Sequence, residues 1–88
     1  MNTLTVDPLC SRLRFDADTM WVDLTDGRTL GVPLSYFPRL LNATPAKRRK
    51  YTVSGGGAAL HWDNLDEDIS VRGLLLGKGD RLAPSRRS

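Results

Sequence analysis

His61 is the single histidine of the chain, and four carboxylates, Asp63, Asp66, Glu67 and Asp68, follow it closely. An imidazole beside acids is the raw material of general acid/base catalysis, and clustered carboxylates are the ligands that hard cations select. A calcium loop needs ligands at alternating positions, a central glycine and a closing glutamate, and this stretch has no such order. Capping and flanking of a final helix accounts for the acids, and pairing across a hairpin accounts for His61. No metal and no cofactor are expected. Nucleophilic catalysis has less still to work with, because Cys10 and His61 are the only nucleophile and base that suggest themselves and nothing in the sequence brings them together. The chain is expected not to be an enzyme, with His61 and an acid from Asp66 to Asp68 as the one catalytic rival.

Two further motifs carry chemistry. Gly55-Gly56-Gly57 lacks the spaced glycines and following Lys-Ser/Thr of a phosphate loop, and strand-like sequence comes next, so a turn is the better reading. Lys47-Arg48-Arg49-Lys50 is a run of four cations with Tyr51 directly after it. A solvated face is the ordinary fate of such a run. The functional reading is a contact to phosphates, with Tyr51 as a stacking platform for a single strand.

Charge is distributed unevenly. The formal charge is +3, yet residues 72–88 hold five cations against Asp80, while residues 1–71 hold eight cations and nine anions. The chain therefore has a basic knuckle and a basic tail on an acidic body, which weakens a general nucleic-acid reading. At 88 residues it has room for one small domain. Apolar runs are too short to span a bilayer, the N-terminus lacks a secretion-signal pattern, and a lone cysteine fits a reducing compartment. A cytoplasmic location is expected, with a dimer or partner interface supplementing a modest core.

The elements that position these residues follow from periodicity. Residues 10–16 alternate imperfectly, with a phase slip between Cys10 and Leu13 that predicts a strand carrying a bulge. Met20, Val22 and Leu24 share one face of a second strand and Trp21 takes the other. Asp26-Gly27 supplies the positive φ values of a tight turn, and Leu30 and Val32 continue the hairpin. Residues 34–41 read as a helix capped by Ser35 with Pro38 in its first turn and Phe37, Leu40 and Leu41 inward. Thr44 caps a second short helix from Pro45, its four cations exposed around it. Residues 51–54 and 58–62 form a second hairpin, and Ser70 or Asp68 caps a last helix that packs Val71, Leu74 and Leu75 and ends at Gly77.

These residues carry a resemblance. Asp26-Gly27-Arg28, the segment Val32-Pro33-Leu34-Ser35-Tyr36-Phe37-Pro38-Arg39-Leu40, Ala43-Thr44, Leu60-His61-Trp62, Leu65-Asp66-Glu67-Asp68-Ile69-Ser70-Val71 and Leu74-Leu75 together resemble domain-of-unknown-function family 2442 over about residues 8–77. The resemblance implies a small bacterial α+β domain of antiparallel strands and short helices. It implies that the domain occurs alone or ahead of a helix-turn-helix domain, and that its gene often neighbours one for a family 4160 protein, in a pair proposed to be toxin-antitoxin-like. The eleven residues after Gly77 are too few for a helix-turn-helix, so that DNA-binding role is not expected here.

The expectation is thus a single α+β domain over residues 1–77, an antiparallel sheet of two hairpins with two or three short helices, and a disordered basic tail over residues 78–88. The expected function is a noncatalytic protein-interaction domain, antitoxin-like or a regulatory partner of a neighbouring gene product, using Trp21, Arg28, Tyr36 and Arg39. The alternative is a nucleic-acid accessory protein using Lys47, Arg48, Arg49, Lys50, Tyr51 and the tail.

Overall fold

The structure, a computed structural model, describes residues 7–77, so the basic tail lies outside the described residues. Six strands and three short helices form two antiparallel sheets, an α+β fold. The strands are β1 (Cys10–Phe15), β2 (Thr19–Leu24), β3 (Thr29–Pro33), β4 (Thr52–Ser54), β5 (Ala59–Trp62) and β6 (Glu67–Ser70). The helices are α1 (Pro38–Leu41), α2 (Pro45–Arg48) and α3 (Val71–Leu75), and single 3-10 turns occupy Leu34–Tyr36 and Asp63–Leu65.

One sheet has the order β1-β2-β3 and the other β4-β5-β6. The register of β1 on β2 shifts between Cys10 and Arg12, and this bulge lets Cys10 and Leu13 both face inward at a spacing of three. On β2 the strict alternation buries Met20, Val22 and Leu24 and turns Trp21 to the opposite face. The β2–β3 connection differs in detail from a two-residue turn. Leu24 N–H donates to Arg28 O at 2.8 Å, Gly27 N–H donates to Leu24 O at 3.1 Å, and Gly27 alone takes a positive φ, of 93°. That is the three-residue loop with a left-handed glycine. Pro33 ends β3 on a sheet edge, where its missing donor costs nothing.

The expected helix over 34–41 is divided in two. Phe37 precedes a proline, which drives it out of the helical region to φ −132°, ψ 88°, so a 3-10 turn stops at Tyr36 and α1 starts afresh with Pro38. Ser35 makes no side-chain cap, and Leu41 is exposed rather than inward. Thr44 caps α2 as expected, its hydroxyl oxygen accepting from Lys47 N–H at 3.2 Å.

The second sheet corrects the reading of the acidic stretch. Asp66 is left-handed at φ 52°, and the chain then pairs Glu67 with Trp62, Asp68 with His61, Ile69 with Leu60 and Ser70 with Ala59. Glu67 and Asp68 are strand residues, and Asp63 and Asp66 bound the 3-10 turn before them; only Ser70 caps α3, accepting from Gly73 N–H at 2.9 Å. The two sheets meet where Cys10 N–H donates to Gly57 O at 2.8 Å. A Cβ on Gly57 would lie 2.6 Å from Cys10 O, so this approach requires glycine. The shared core holds Leu13, Met20, Val22, Leu34, Leu40, Leu60, Trp62, Ile69 and Val71 among others, each side chain contributing about 1.5–3 kcal/mol by leaving water. No helix among the described residues is long and apolar enough to cross a membrane.

Candidate functional site

Three places on this scaffold gather chemistry, two of them set by strand register and the third by packing of β1 against the α2–β4 connection. The first is the outer face of β1-β2-β3. Arg14 on β1 and Gly31 on β3 stand directly opposite Trp21, and Arg12 and Thr29 stand opposite Asp23. Arg14 donates to Asp23 twice, Nε to Oδ2 at 3.2 Å and Nη2 to Oδ1 at 2.7 Å. The guanidinium bond, with help from the Thr29 hydroxyl, holds the Asp23 carboxyl below its ordinary range. Trp21 donates its indole N–H to Asp16 Oδ2 at 2.8 Å, and its ring lies across Gly31, where a Cβ would sit 2.6 Å from Cζ3. The missing side chain of Gly31 is therefore the seat of the tryptophan ring.

The second is the outer face of β4-β5-β6. Register places His61 opposite Asp68 and beside Ser54. Ser54 Oγ lies 2.7 Å from His61 Nε2, and His61 Nδ1 lies 2.6 Å from Asp68 Oδ1. Because the carboxylate only accepts, a neutral imidazole carries its proton on Nδ1, donates it to Asp68, and accepts a hydrogen bond from the Ser54 hydroxyl at Nε2. This is the hydrogen-bond order of a Ser-His-Asp relay. Its setting is open: the Asp68 side chain is 78% exposed and that of His61 32%. The sequence offers Cys10 as the one nucleophile for His61 with nothing to bring the two together, and an acid from Asp66 to Asp68 as its partner; Asp68 is that acid, while Ser54 is missed because only β4–β5 register brings it near. Cys10 is buried in the core, and burial pushes its thiol pKa up. Among the described residues no group of three or more metal-type ligands gathers.

The third is a cavity of about 250 Å³ lined by Leu13, Arg14 and Phe15 of β1 and by Arg49 and Tyr51 of the α2–β4 connection. Tyr51 is tilted at 50° against the buried Trp62, with ring centroids 6.0 Å apart. The basic run is divided at this point. Lys47, Arg49 and Lys50 are exposed, whereas Arg48, expected among them on the exposed sides of α2, is buried. Arg48 donates Nε to Leu40 O and Nη2 to Leu41 O, both at 2.8 Å, and its own carbonyl accepts from Trp62 Nε1 at 2.8 Å. It serves the end of α1 rather than a surface.

The expected partner-binding residues are dispersed. Arg28 closes back on Asp26 at 2.8 Å within the β2–β3 loop, and that contact holds the Asp26 carboxyl below its ordinary range. Arg39 donates to the main-chain carbonyl of Asp66, supporting the left-handed residue that starts β6. Tyr36 is exposed at the end of its 3-10 turn. Among the described residues no hydrogen bond or ring contact joins these three to Trp21.

The fold recurs in solved structures. A protein of unknown function from Rhodospirillum rubrum superposes with a TM-score of 0.74 at 30% identity, over 85% of this chain and 93% of that one. An uncharacterized protein from Chromobacterium violaceum, solved in solution, gives a TM-score of 0.68 at 23% identity, over 82% of this chain and 68% of that one, which is a likeness of fold alone. No curated protein matches this chain. The family model described as protein of unknown function (DUF2442) matches residues 10–80, and the chain belongs to that family.

Proposed function

We propose that the chain is a noncatalytic protein-interaction domain whose docking surface is the outer face of β1-β2-β3, centred on Trp21. The observation that supports this is the fixed ring: Trp21 lies across Gly31 and its N–H is held by Asp16. An aromatic side chain already locked in place loses little freedom when a partner covers it, which is the property of a binding hot spot. Arg12 and Arg14 flank the ring, and arginine beside tryptophan is the residue mix that protein interfaces favour. The family resemblance adds the kind of partner. It is the toxin-like product of a neighbouring gene, met in the cytoplasm, with this chain as its antitoxin-like or regulatory counterpart.

The test is co-expression of the tagged chain with the neighbouring gene, capture, and washing at low and then high salt. A stoichiometric protein that survives high salt and is lost with Trp21→Ala is the expected result. A chain that stays monomeric and captures no neighbour-encoded protein would remove the reading, and self-association lost with Trp21→Ala would replace the partner by a second copy.

A further inference from the structure

We propose that the open edge of β3 takes an extended segment of the protein partner as a fourth, antiparallel strand, with a bulky apolar side chain against the Trp21 ring and a lysine or arginine toward Asp16 and Asp18. The proposal rests on the Trp21 docking reading and names the element of the partner that meets that surface.

The hydrogen-bond frame of the hairpin decides which groups face outward. Leu24 N–H donates to Arg28 O and Leu34 N–H donates to Asp18 O, both at 2.8 Å, so these two pairs bracket the β2–β3 ladder. Alternation between them makes Val22 with Leu30 and Met20 with Val32 the bonded pairs. The main-chain groups of Thr29, Gly31 and Pro33 therefore point away from β2, and among the described residues no strand lies on that side. An antiparallel strand laid there exchanges N–H and C=O bonds with Thr29 and Gly31, and Pro33 accepts one more.

This edge is also the least defended against pairing. Among the other sheet edges, β1 carries Arg12 and Arg14, β6 carries Glu67 and Asp68, and β4 is three residues long, whereas β3 has five residues and no charge. Edge strands are ordinarily guarded by charge, and here the guard is Pro33 alone, at the far end.

The chemistry of the occupant follows from the outer face. The indole ring reaches across Gly31 from β2, so the residue opposite Gly31 on an added strand, about 4.8 Å further out, faces the ring with no side chain between them. At the other end of β3, Pro33 pairs with Thr19 beside the β1–β2 turn, which holds Asp16 and Asp18. Asp16 accepts from the Trp21 indole, and the Asp18 main chain is bonded to Leu34, so both acids stand close to the ring and to the edge. Among the described residues neither carboxylate has an ion-pair partner. A cation two residues from the apolar side chain shares its face of the added strand and lies on the side of this acidic turn. A second copy of this chain fits less well, because self-pairing through Gly31 sets Thr29 against Pro33, which offers neither a donor nor a cation.

The experiment titrates the full chain with the capped peptide Ser-Lys-Val-Phe-Val-Thr-Gly and follows amide shifts and amide hydrogen exchange. Saturable shifts of residues 29–32 and of the Trp21 indole N–H are expected. In the free chain the amides of Leu30 and Val32 should exchange slowly and those of Thr29 and Gly31 fast; with peptide at about ten times its dissociation constant, the latter two should slow about tenfold. Thr29→Pro removes an outward donor and leaves the β2 ladder whole, so binding should weaken about tenfold, while Thr29→Ala should bind like the wild type. Peptides with Glu for Lys or Gly for Phe should each bind about tenfold more weakly. Absence of binding, equal binding of the Glu peptide, or Thr29 and Gly31 amides that stay fast at saturation would overturn the proposal. If those amides stay fast while Trp21→Ala still abolishes capture of the neighbour-encoded protein, the added strand fails and the docking face stands. If they slow while capture ignores Trp21→Ala, the docking reading fails, and with it the identification of the peptide site as the partner's. The exchange rates are read on the unsubstituted chain, so they decide the matter even where Thr29→Pro does not fold.

Discussion

Arg48 and Trp62 lock each other into the core: the Trp62 indole N–H donates to the Arg48 carbonyl at 2.8 Å, while the Arg48 side chain reaches back to the last carbonyls of α1. A four-residue helix cannot satisfy its own C-terminal carbonyls, and α1 has this arginine for the purpose. Arg48→Ala should therefore cost about 3 kcal/mol, since buried carbonyls of α1 lose charged donors. Arg48→Lys should recover only part of it, because an ammonium lacks the fork that spans Leu40 and Leu41. Urea unfolding curves measure both. Arg49→Ala, on the exposed side of the run, should shift the midpoint by no more than about 0.5 kcal/mol. Equal losses at the two positions would contradict the buried role of Arg48.

Gly31 and Trp21 make the second prediction. Gly31→Ala places a Cβ against the far edge of the indole, which can swing away into solvent. Stability should fall by less than about 1 kcal/mol, in the range of one cross-strand pair, while the ring leaves its seat. Trp62 is 1% exposed, so acrylamide quenching of tryptophan fluorescence reports chiefly on Trp21, and quenching should rise in the variant. Capture of the partner should weaken in parallel with quenching, whereas an unchanged complex would place the docking surface elsewhere.

How far these arrangements show in the sequence depends on the kind of force that makes them. The β2 strand is legible because Met20, Val22 and Leu24 alternate strictly with polar or outward residues, and the β1 bulge is legible because the same alternation slips between Cys10 and Leu13. The β6 strand is hidden. Its buried Glu67 breaks the apolar-polar period, and acids before an apolar run imitate a helix start. Arg48 is hidden for a different reason: four consecutive cations are equivalent to any local rule, and only packing against α1 selects which one is buried. The same holds for the candidate sites. Trp21 is readable as an outward tryptophan, but its seat on Gly31 and the Ser54-His61-Asp68 relay depend on the register of neighbouring strands, and the cavity joining Phe15 to Tyr51 depends on packing between segments distant in sequence.

The Ser54-His61-Asp68 relay supports a third prediction, about stability and not turnover. Across exposed antiparallel strands each polar pair contributes up to about 1 kcal/mol. His61→Ala and Asp68→Ala should each lower stability by about that amount, and the double variant should lose less than the sum, because both remove one shared bond. Hydrolysis of a chromogenic ester should run no faster than buffer. The noncatalytic reading would be abandoned if a fluorophosphonate labelled Ser54 in the wild type and not in His61→Ala.

Acid stability gives the fourth. Arg14 holds the Asp23 carboxyl below its ordinary value of 3.8, chiefly through their hydrogen bond, so the folded chain binds this proton more weakly than the unfolded chain does. A depressed carboxyl contributes stability that is fully present above the unfolded value and is lost as pH falls through the folded one. Asp23→Asn should therefore be less stable than the wild type at neutral pH, and the gap should close as the medium is acidified below pH 3.8. Asp26, held down by Arg28 in the adjoining loop, works in the same direction, so a residual acid dependence should survive in Asp23→Asn and shrink further in the double variant with Asp26→Asn. Urea midpoints taken across the acid range measure the convergence. Curves for wild type and Asp23→Asn that ran parallel at every pH would show that the Arg14 contact does not bias the carboxyl, and would leave the rigid arginine beside Trp21 without its anchor.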